Sequence, residues 1–159
     1  MSTTLVIHGE VARQLAESLR ETKETAGVLL VRRVFLDSGD HRLLAREFIP
    51  VPAKAYRKRT EYELEIASSG YVDALARAEQ TDCAAIWLHT HPGAESSPQP
   101  SARDVQVDDE LAETFRIRTG VDFYGSLILS PGPSGYPFNA TVWYKRRGVA
   151  AVAIDAIDQ

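Results

Sequence analysis

The sequence contains one cysteine, Cys83, in 159 residues. A single cysteine excludes an internal disulfide framework, and it also excludes a structural zinc finger built from several thiolates. The first ten residues carry neither a basic segment nor a long apolar one, so we expect no signal peptide. Together these absences favour a reducing, cytoplasmic setting.

Long apolar runs and an excess of basic residues are also missing. No run approaches the ~20 apolar residues of a membrane-spanning helix. The net charge is −4 and the isoelectric point is about 5.6, which gives no drive for binding through phosphate neutralisation. No glycine-rich loop follows a predicted strand, which argues against a phosphate-binding loop. We therefore expect neither nucleic acid nor a membrane among the partners.

The remaining composition is typical of an ordinary globular domain. Hydrophobic residues make up 44% of the chain and charged residues 25%, and this length fits one domain. Apolar residues at helical spacing predict helices, whereas alternating or short apolar runs predict strands. The helices are expected at 10–22, 70–80 and 102–118, and the strands at 3–8, 26–36, 41–51, 62–66, 82–91, 124–130 and 138–145.

This order of elements, β-α-β-β-β-α-β-α-β-β, predicts a mixed α/β or α+β domain in which helices cover a sheet. Segments 26–36 and 41–51 flank a turn rich in Asp, Ser and Gly, and they predict a hairpin. We assign residues 1–147 to the domain and 148–159 to a C-terminal tail. Within the tail, 149–154 is expected either to form a short helix or to bind a partner.

A basic connection, residues 53–60, follows the predicted hairpin and contains Arg57, Lys58 and Arg59. Such a run is either a solvated loop or a contact for an acidic partner. The sequence leaves both interpretations open.

Two histidines, His89 and His91, lie one residue apart at the end of a predicted strand, which Pro92 terminates. Side chains at positions i and i+2 of a strand point to the same face, with Cα atoms about 6.5–7 Å apart. Two imidazoles at that spacing can share one zinc ion, whose Zn–N bonds are ~2.0–2.1 Å long. The alternative is a pair of ordinary histidines, which this motif alone does not exclude.

A second motif, Ser101-x-x-Asp104, opens the third predicted helix. Serine at the N-cap with an acid three residues later resembles a capping box, which explains the helix start without any metal. The same cap would hold Asp104 rigidly, as a metal ligand needs to be held. Glu95, Asp108 and Asp109 are competing carboxylates.

Two histidines and one aspartate make three protein ligands. Three ligands leave a fourth position open, as in hydrolytic zinc sites, whereas a closed structural zinc site uses four. Cys83, His8 and His41 are expected to lie elsewhere, in the core or facing solvent. A hydrolase of this kind also needs a general base. Glu24, before a predicted strand, is a candidate, although its position alone favours a surface glutamate.

Three motifs follow one another along the chain: Glu24-Thr-Ala-Gly-Val-Leu, His89-Thr-His91-Pro and Ser101-x-x-Asp104. In type and order they resemble the JAMM motif of the JAB/MPN zinc metalloprotease family, especially its small prokaryotic members, over residues 4–145. One difference is the loop Pro92–Pro100, whose nine residues exceed the family's usual interval by two. Because loop length costs little free energy, we interpret this difference as an insertion.

The resemblance implies a fold and a site. The fold is a curved mixed β-sheet flanked by about three helices, a layered architecture like that of cytidine deaminases. His89, His91 and Asp104 would bind one Zn²⁺ per chain, with water at the fourth position. Glu24 would accept a proton from this water and return it to the leaving amine. Ser101 would donate a hydrogen bond to the oxyanion.

The resemblance also implies a substrate class. The family hydrolyses peptide or isopeptide bonds after the C-terminus of ubiquitin or a ubiquitin-like protein. Its prokaryotic members are associated with E1-like and E2-like partners, including in antiviral defence. We therefore expect a cytoplasmic deconjugase or precursor-processing peptidase.

Three alternatives to this function stay open. They are processing of a sulfur-carrier protein, hydrolysis of a small amide, and a non-catalytic scaffold. The scaffold is disfavoured because such members tend to lose the zinc ligands, and no ligand is lost here.

Overall fold

The computed structural model of the chain describes residues 3–93, 101–121, 123–132, 138–144, 147–148 and 150–154, the last three ranges by their backbone alone. Within these ranges the chain forms ten strands and three α-helices. The strands are β1 (Thr3–Ile7), β2 (Ala26–Phe35), β3 (His41–Pro50), β4 (Tyr56–Arg59), β5 (Leu64–Ile66), β6 (Ala84–Thr90), β7 (Gly125–Pro131), β8 (Phe138–Tyr144), β9 (Arg147–Gly148) and β10 (Ala150–Ile154). The helices are α1 (Gly9–Ser18), α2 (Val72–Gln80) and α3 (Ala102–Thr119). No helix in the described ranges is long and apolar enough to cross a membrane.

Eight of the strands form one sheet, in the order β10-β1-β3-β2-β6-β7-β8-β9. β2 pairs antiparallel with β3, which confirms the predicted hairpin, and β6 pairs antiparallel with β2 and parallel with β7. β10 contacts β8 near the opposite end of this order, so the sheet is curled. The predicted curved, mixed sheet with flanking helices is therefore confirmed. β4 and β5 form a separate antiparallel pair.

Different helices cover the two faces of the sheet. Along β2, Leu29 and Val31 join the core cluster that includes α1, whereas Val28 and Leu30 join the cluster that includes α2 and α3. This alternation follows from the period of two in a strand. All seven residues of β6 are buried, as predicted for a strand at the centre of a sheet. The residues at the end of β6 are consequently held by packing on both faces.

Two helices are shorter than predicted. α1 ends at Ser18 instead of residue 22, because Leu19 is the last side chain that packs against the core and the next four residues are exposed. The Ser18 hydroxyl also donates to the Leu15 carbonyl at 2.6 Å. α2 begins at Val72 instead of residue 70, because Ser68–Gly70 forms a 3₁₀ turn.

The structure corrects the prediction that residues 53–60 are only a basic connection. Within it, Ala53–Ala55 forms a 3₁₀ turn and the next four residues form β4, which pairs with β5. The Tyr56 hydroxyl accepts a hydrogen bond from the Ala26 N–H at 2.9 Å, and Lys58 forms an ion pair with Glu63 across the hairpin. β4 is thus stabilised by contacts with distant segments, which a run of basic residues does not reveal.

Part of the predicted tail belongs to the sheet. β10, at Ala150–Ile154, runs parallel to β1, so the short helix considered for this segment is wrong. The boundary placed after residue 147 stays a prediction, although the sheet extends beyond it.

The close approach of β3 to β2 at Gly27 generates a stability prediction. A Cβ atom at Gly27 would overlap the Phe48 ring and lie 2.9 Å from the Ile49 carbonyl oxygen. Gly27→Ala should therefore lower the free energy of unfolding by about 1–3 kcal/mol, because the overlap forces side chains or backbone to shift. Urea denaturation measures this change.

Gly93→Ala is the matched control, because a Cβ atom there meets nothing within 4 Å. We expect this variant to stay within about 0.5 kcal/mol of wild type. Equal stability of the two variants would show that β2 and β3 do not approach so closely.

Candidate metal centre

β6 brings two histidines to one point at its C-terminal end. His89 lies in the strand and His91 follows two residues later, so both side chains leave on the same side. Their Nε2 atoms are 3.1 Å apart. Only 5% of the His89 side chain is exposed, compared with 20% for His91. The pair therefore lies where the core meets solvent.

The first turn of α3 adds a carboxylate to this point. Asp104 Oδ1 lies 3.2 Å from His89 Nε2, and its Oδ2 lies 3.2 Å from His91 Nε2. Three side chains from two elements thus meet through their potential ligand atoms. The sequence predicted this set, and the structure brings all three members together.

A complete capping box holds the start of α3. Ser101 Oγ accepts from the Asp104 N–H at 3.1 Å, and Asp104 Oδ2 accepts from the Ser101 N–H at 2.8 Å. The predicted cap and the predicted position of Asp104 beside the histidines are therefore compatible. The cap uses the Ser101 hydroxyl as an acceptor, so its hydrogen is still available for donation to a ligand.

The competing carboxylates lie in other surroundings. Asp108 accepts hydrogen bonds from the Tyr124 hydroxyl and the Ser126 hydroxyl, both at 2.7 Å. It therefore anchors α3 to the segment around β7, one turn beyond the cap. Asp109 is exposed, and Glu95 falls outside the described residues.

Glu24 is the fourth polar side chain at this point. It is only 5% exposed, and its carboxylate forms a group with the His89 and His91 ring nitrogens in which all ligand atoms lie within 4.8 Å of one another. The position of Glu24 in the chain favoured a surface glutamate, and this prediction is wrong. The pairing of β2 with β6, which sets Ala26 opposite His89, buries the residue.

Burial and the charges of neighbouring groups shift the pKa values of Glu24, His89 and Asp104. Burial raises the pKa of Glu24, and the nearby histidines oppose this shift only in part. Burial would also raise the pKa of Asp104, but hydrogen bonds from both histidines hold it far below its usual range. Burial would lower the pKa of His89, yet the hydrogen bond and charge of Asp104 raise it overall. Of the two carboxylates beside the histidines, Glu24 is therefore the more basic.

The donor set fits a single metal ion. The two Nε2 atoms are 3.1 Å apart, and each lies 3.2 Å from one Asp104 oxygen, Oδ1 for His89 and Oδ2 for His91. Two ligand atoms bound to one metal at ~2.0–2.1 Å are about 3.3 Å apart in a tetrahedral site. Imidazole and carboxylate are ordinary ligands of divalent first-row metals. The Glu24 carboxylate lies within 4.8 Å of a ring nitrogen of each histidine. At that distance it can accept a proton from a water bound beside the histidines.

The other residues considered from the sequence lie elsewhere, as predicted. Cys83 is buried in the core cluster that includes α2 and α3. His41 stacks on Phe35 with ring centroids 4.5 Å apart. His8 is the N-cap residue of α1.

The residues that hold the Glu24 backbone were not predicted. The Glu24 N–H donates to the Thr60 carbonyl at 2.7 Å, and the Glu24 carbonyl accepts from Arg59 Nε at 2.8 Å. The neighbouring Thr25 N–H donates to the Thr90 hydroxyl at 2.8 Å. The inward position of Thr90 could have been predicted from the sequence, because a residue between two histidines that share one face of a strand must point to the opposite face. Nothing in the basic run distinguished Arg59.

A groove is lined by all three residues of β5, by residues of α3 and by three of the four converging side chains, Glu24, His89 and Asp104; we call it the β5–α3 groove. One part of its wall is apolar and another is acidic. The apolar part includes Trp87, Val107 and Leu111, and the acidic part Glu63, Glu65 and Glu110. Glu24, His89, Asp104 and Ser101 line the same groove, so a ligand bound in it would contact them.

A family model described as prokaryotic homologs of the JAB domain matches residues 8–144. No curated protein matches the chain. The matched range contains all four converging side chains.

The geometry generates a prediction about metal content. Asp104→Ala removes a ligand. Metal affinity should therefore fall by at least about 10–100-fold, which is the loss typically caused by replacing a residue that only hydrogen-bonds to a ligand. Asp108→Ala should retain the metal. It should nevertheless lower the free energy of unfolding by about 1–3 kcal/mol, because it leaves two hydroxyls without their acceptor.

Metal analysis after dialysis against micromolar zinc, combined with urea denaturation, measures both effects. Wild type should hold about one metal ion per chain. The assignment of the third ligand is wrong if Asp108→Ala loses the metal and Asp104→Ala keeps it.

Proposed function

The chain belongs to the prokaryotic JAB-domain family, and we propose that it is a zinc-dependent peptidase or isopeptidase. One observation carries this proposal: two histidines and two carboxylates from distant parts of the chain converge, and three of these four side chains line a groove. The family includes hydrolases, and a converged set of ligands beside a buried glutamate is what metal-assisted hydrolysis requires. A purely scaffolding role would need neither feature.

In this proposal His89, His91 and Asp104 hold one Zn²⁺ per chain. Three protein ligands leave the fourth position for water or substrate, as in hydrolytic zinc sites. The capping box supports this assignment, because it directs Asp104 Oδ1 toward His89 while Oδ2 accepts from the Ser101 backbone. Zinc bound there supplies Lewis acidity, which acidifies water and polarises a carbonyl.

Glu24 acts as general base and then as general acid. Its buried carboxylate, with a raised pKa, accepts a proton from the attacking water and transfers it to the leaving amine. Ser101 donates its hydroxyl hydrogen to the developing oxyanion. The helix cap does not prevent this role, because the cap uses Ser101 Oγ only as an acceptor.

The substrate we propose is the C-terminal tail of a ubiquitin-like protein, cut at the bond that follows it. All three residues of β5 line the β5–α3 groove. Because alternate side chains of a strand point to opposite faces, this means that the strand's edge borders the groove. An extended tail can bind by pairing with such an edge. The bond cut is either the isopeptide bond of a conjugate or the peptide bond of a precursor.

This substrate class also suggests partners and a compartment. E1-like and E2-like proteins of the same modification system, such as one used in antiviral defence, would produce the conjugate. The reduced, buried Cys83 is compatible with work in the cytoplasm.

Glu24→Gln tests the proposed reaction. We expect this variant to keep its metal but lose about 10²–10⁴-fold in kcat, because the amide cannot accept the proton. Glu21→Gln is the matched control; Glu21 is exposed and lies three residues earlier, so its loss should leave kcat unchanged. Suitable probes are ubiquitin-like proteins that carry a fluorophore joined by an amide bond to the C-terminus. Full activity of Glu24→Gln would remove Glu24 from the mechanism.

Ser101 has two proposed roles, and two substitutions separate them. Ser101→Ala removes both the cap and the donor, so it should cost about 1 kcal/mol of stability and about 10²-fold in kcat. Ser101→Gly also removes the donor, but glycine is nearly as good an N-cap as serine and should cost only a few tenths of a kcal/mol. Both variants should therefore be slow, whereas only the alanine variant should be clearly less stable in urea. Wild-type kcat in Ser101→Gly would restrict Ser101 to capping.

A further inference from the structure

Glu24 does not lie in a helix or a strand. It precedes β2, after a segment of four exposed residues, Arg20–Lys23. A carboxylate in such a segment is placed accurately only if its backbone is held by other parts of the chain. The hydrogen bonds of the Glu24 backbone therefore decide whether its side chain faces His89 and His91.

Arg59, the last residue of β4, makes one of these contacts through its side chain. Its Nε donates to the Glu24 carbonyl and its Nη2 donates to the Thr25 hydroxyl, both at 2.8 Å. The guanidinium carbon lies 4.7 Å from the centroid of the Tyr56 ring. One half-buried side chain thus binds two successive residues and rests on a fixed aromatic surface.

The opposite side of the same segment is bound to the end of β6. The Thr25 N–H donates to the Thr90 hydroxyl at 2.8 Å, and the Thr90 N–H donates to the Thr25 carbonyl at 2.9 Å. The backbone at Glu24 and Thr25 consequently lies between β4 on one side and the histidine-bearing strand on the other. Removal of either side would free the segment to move relative to the histidines.

We propose that Arg59 is a positioning residue, which fixes the backbone at Glu24 so that the carboxylate faces the ligand atoms of His89 and His91. The catalytic consequence rests on the proposed function, whereas the placement of the backbone does not. Arg59 acts through Glu24, because its two hydrogen bonds go to a carbonyl and a hydroxyl and not to the carboxylate.

The chemistry of this contact requires arginine. The guanidinium presents several N–H donors in one rigid plane, and two of them point here at acceptors on adjacent residues. Its flat face also stacks on an aromatic ring. A lysine ammonium has the same charge but neither the fork nor the flat face. Arg59→Lys should therefore not restore the function of Arg59.

β4 also connects the base to the β5–α3 groove. β5 lines that groove along its whole length and pairs with β4, with Arg59 opposite Leu64. A tail that binds along β5 would therefore lie against the same hairpin that holds Glu24. Arg59 is the side chain, and Thr60 the backbone group, through which this hairpin binds the segment before β2.

Kinetics of Arg59→Gln test the proposal, with Arg57→Gln as the matched control. Arg57 is exposed in the same strand, so its substitution removes the same charge without touching Glu24. We expect Arg59→Gln to lose about 10–100-fold in kcat, as misplacement of a catalytic group by about 1 Å does. KM should change less than about threefold and metal content should not change. A kcat in Arg59→Gln equal to that of Arg57→Gln would overturn the proposal.

A double-mutant cycle separates positioning from other roles. If Arg59 acts through Glu24, adding Arg59→Gln to Glu24→Gln should cause no further loss of kcat. If Arg59 instead supports the fold or the substrate, the two losses should multiply, and the proposal fails. Arg59→Lys repeats the test with the charge retained, in case Arg59→Gln folds poorly.

Amide hydrogen exchange provides a readout that needs no substrate. In metal-loaded Arg59→Gln, the amides of Glu24 and Thr25 should exchange about 10–100-fold faster, because a charge-assisted hydrogen bond to this segment is lost. Leu29, in the middle of β2, should be unaffected. Unchanged exchange at Glu24 and Thr25 would overturn the proposal. Faster exchange in a protein that cleaves none of the probes would support the positioning of Glu24 and count against the proposed function alone.

Discussion

The antiparallel pairing of β2 with β6 is the constraint on which the arrangement of this protein depends. In its register Ala26 lies opposite His89, so the segment before β2 passes the point where the histidines leave β6. Two hydrogen bonds between Thr25 and Thr90 extend the pairing by one further step. A slip by one residue would turn every side chain of β2 to the other face. One register therefore sets both the alternation of the core and the position of Glu24.

Ionisable groups at the edge of the core are costly unless they compensate one another. Asp104 keeps its charge because it lies between two imidazoles and accepts a backbone hydrogen bond from Ser101. The charge of Glu24 is compensated less by the nearby histidines, and burial raises its pKa. The same location thus favours an ionised carboxylate suited to a ligand and a more basic carboxylate suited to proton transfer. Environment, more than residue type, separates the two roles we propose.

Several features could be predicted because their signal lies within a few consecutive residues. The spacing of His89 and His91 defined a shared face, and Ser101 and Asp104 defined a helix cap that the structure contains. The features that were missed depend on distant contacts. β4 is stabilised partly through Tyr56, 30 residues from its partner Ala26. The Glu24 backbone is bound by a side chain 35 residues away, and the next residue by one 65 residues away.

The order of amino acids alone specifies which chemical groups the chain carries, which strand face the histidines share and where α3 begins. These features follow from backbone periodicity and local hydrogen bonding, which act within one turn or one strand. Folding determines which carboxylate stands beside the histidines and which one binds Tyr124 and Ser126. It also determines that Glu24 is buried and therefore more basic than a glutamate in water. Proximity and pKa depend on burial and on partners far along the chain, and a local pattern contains neither.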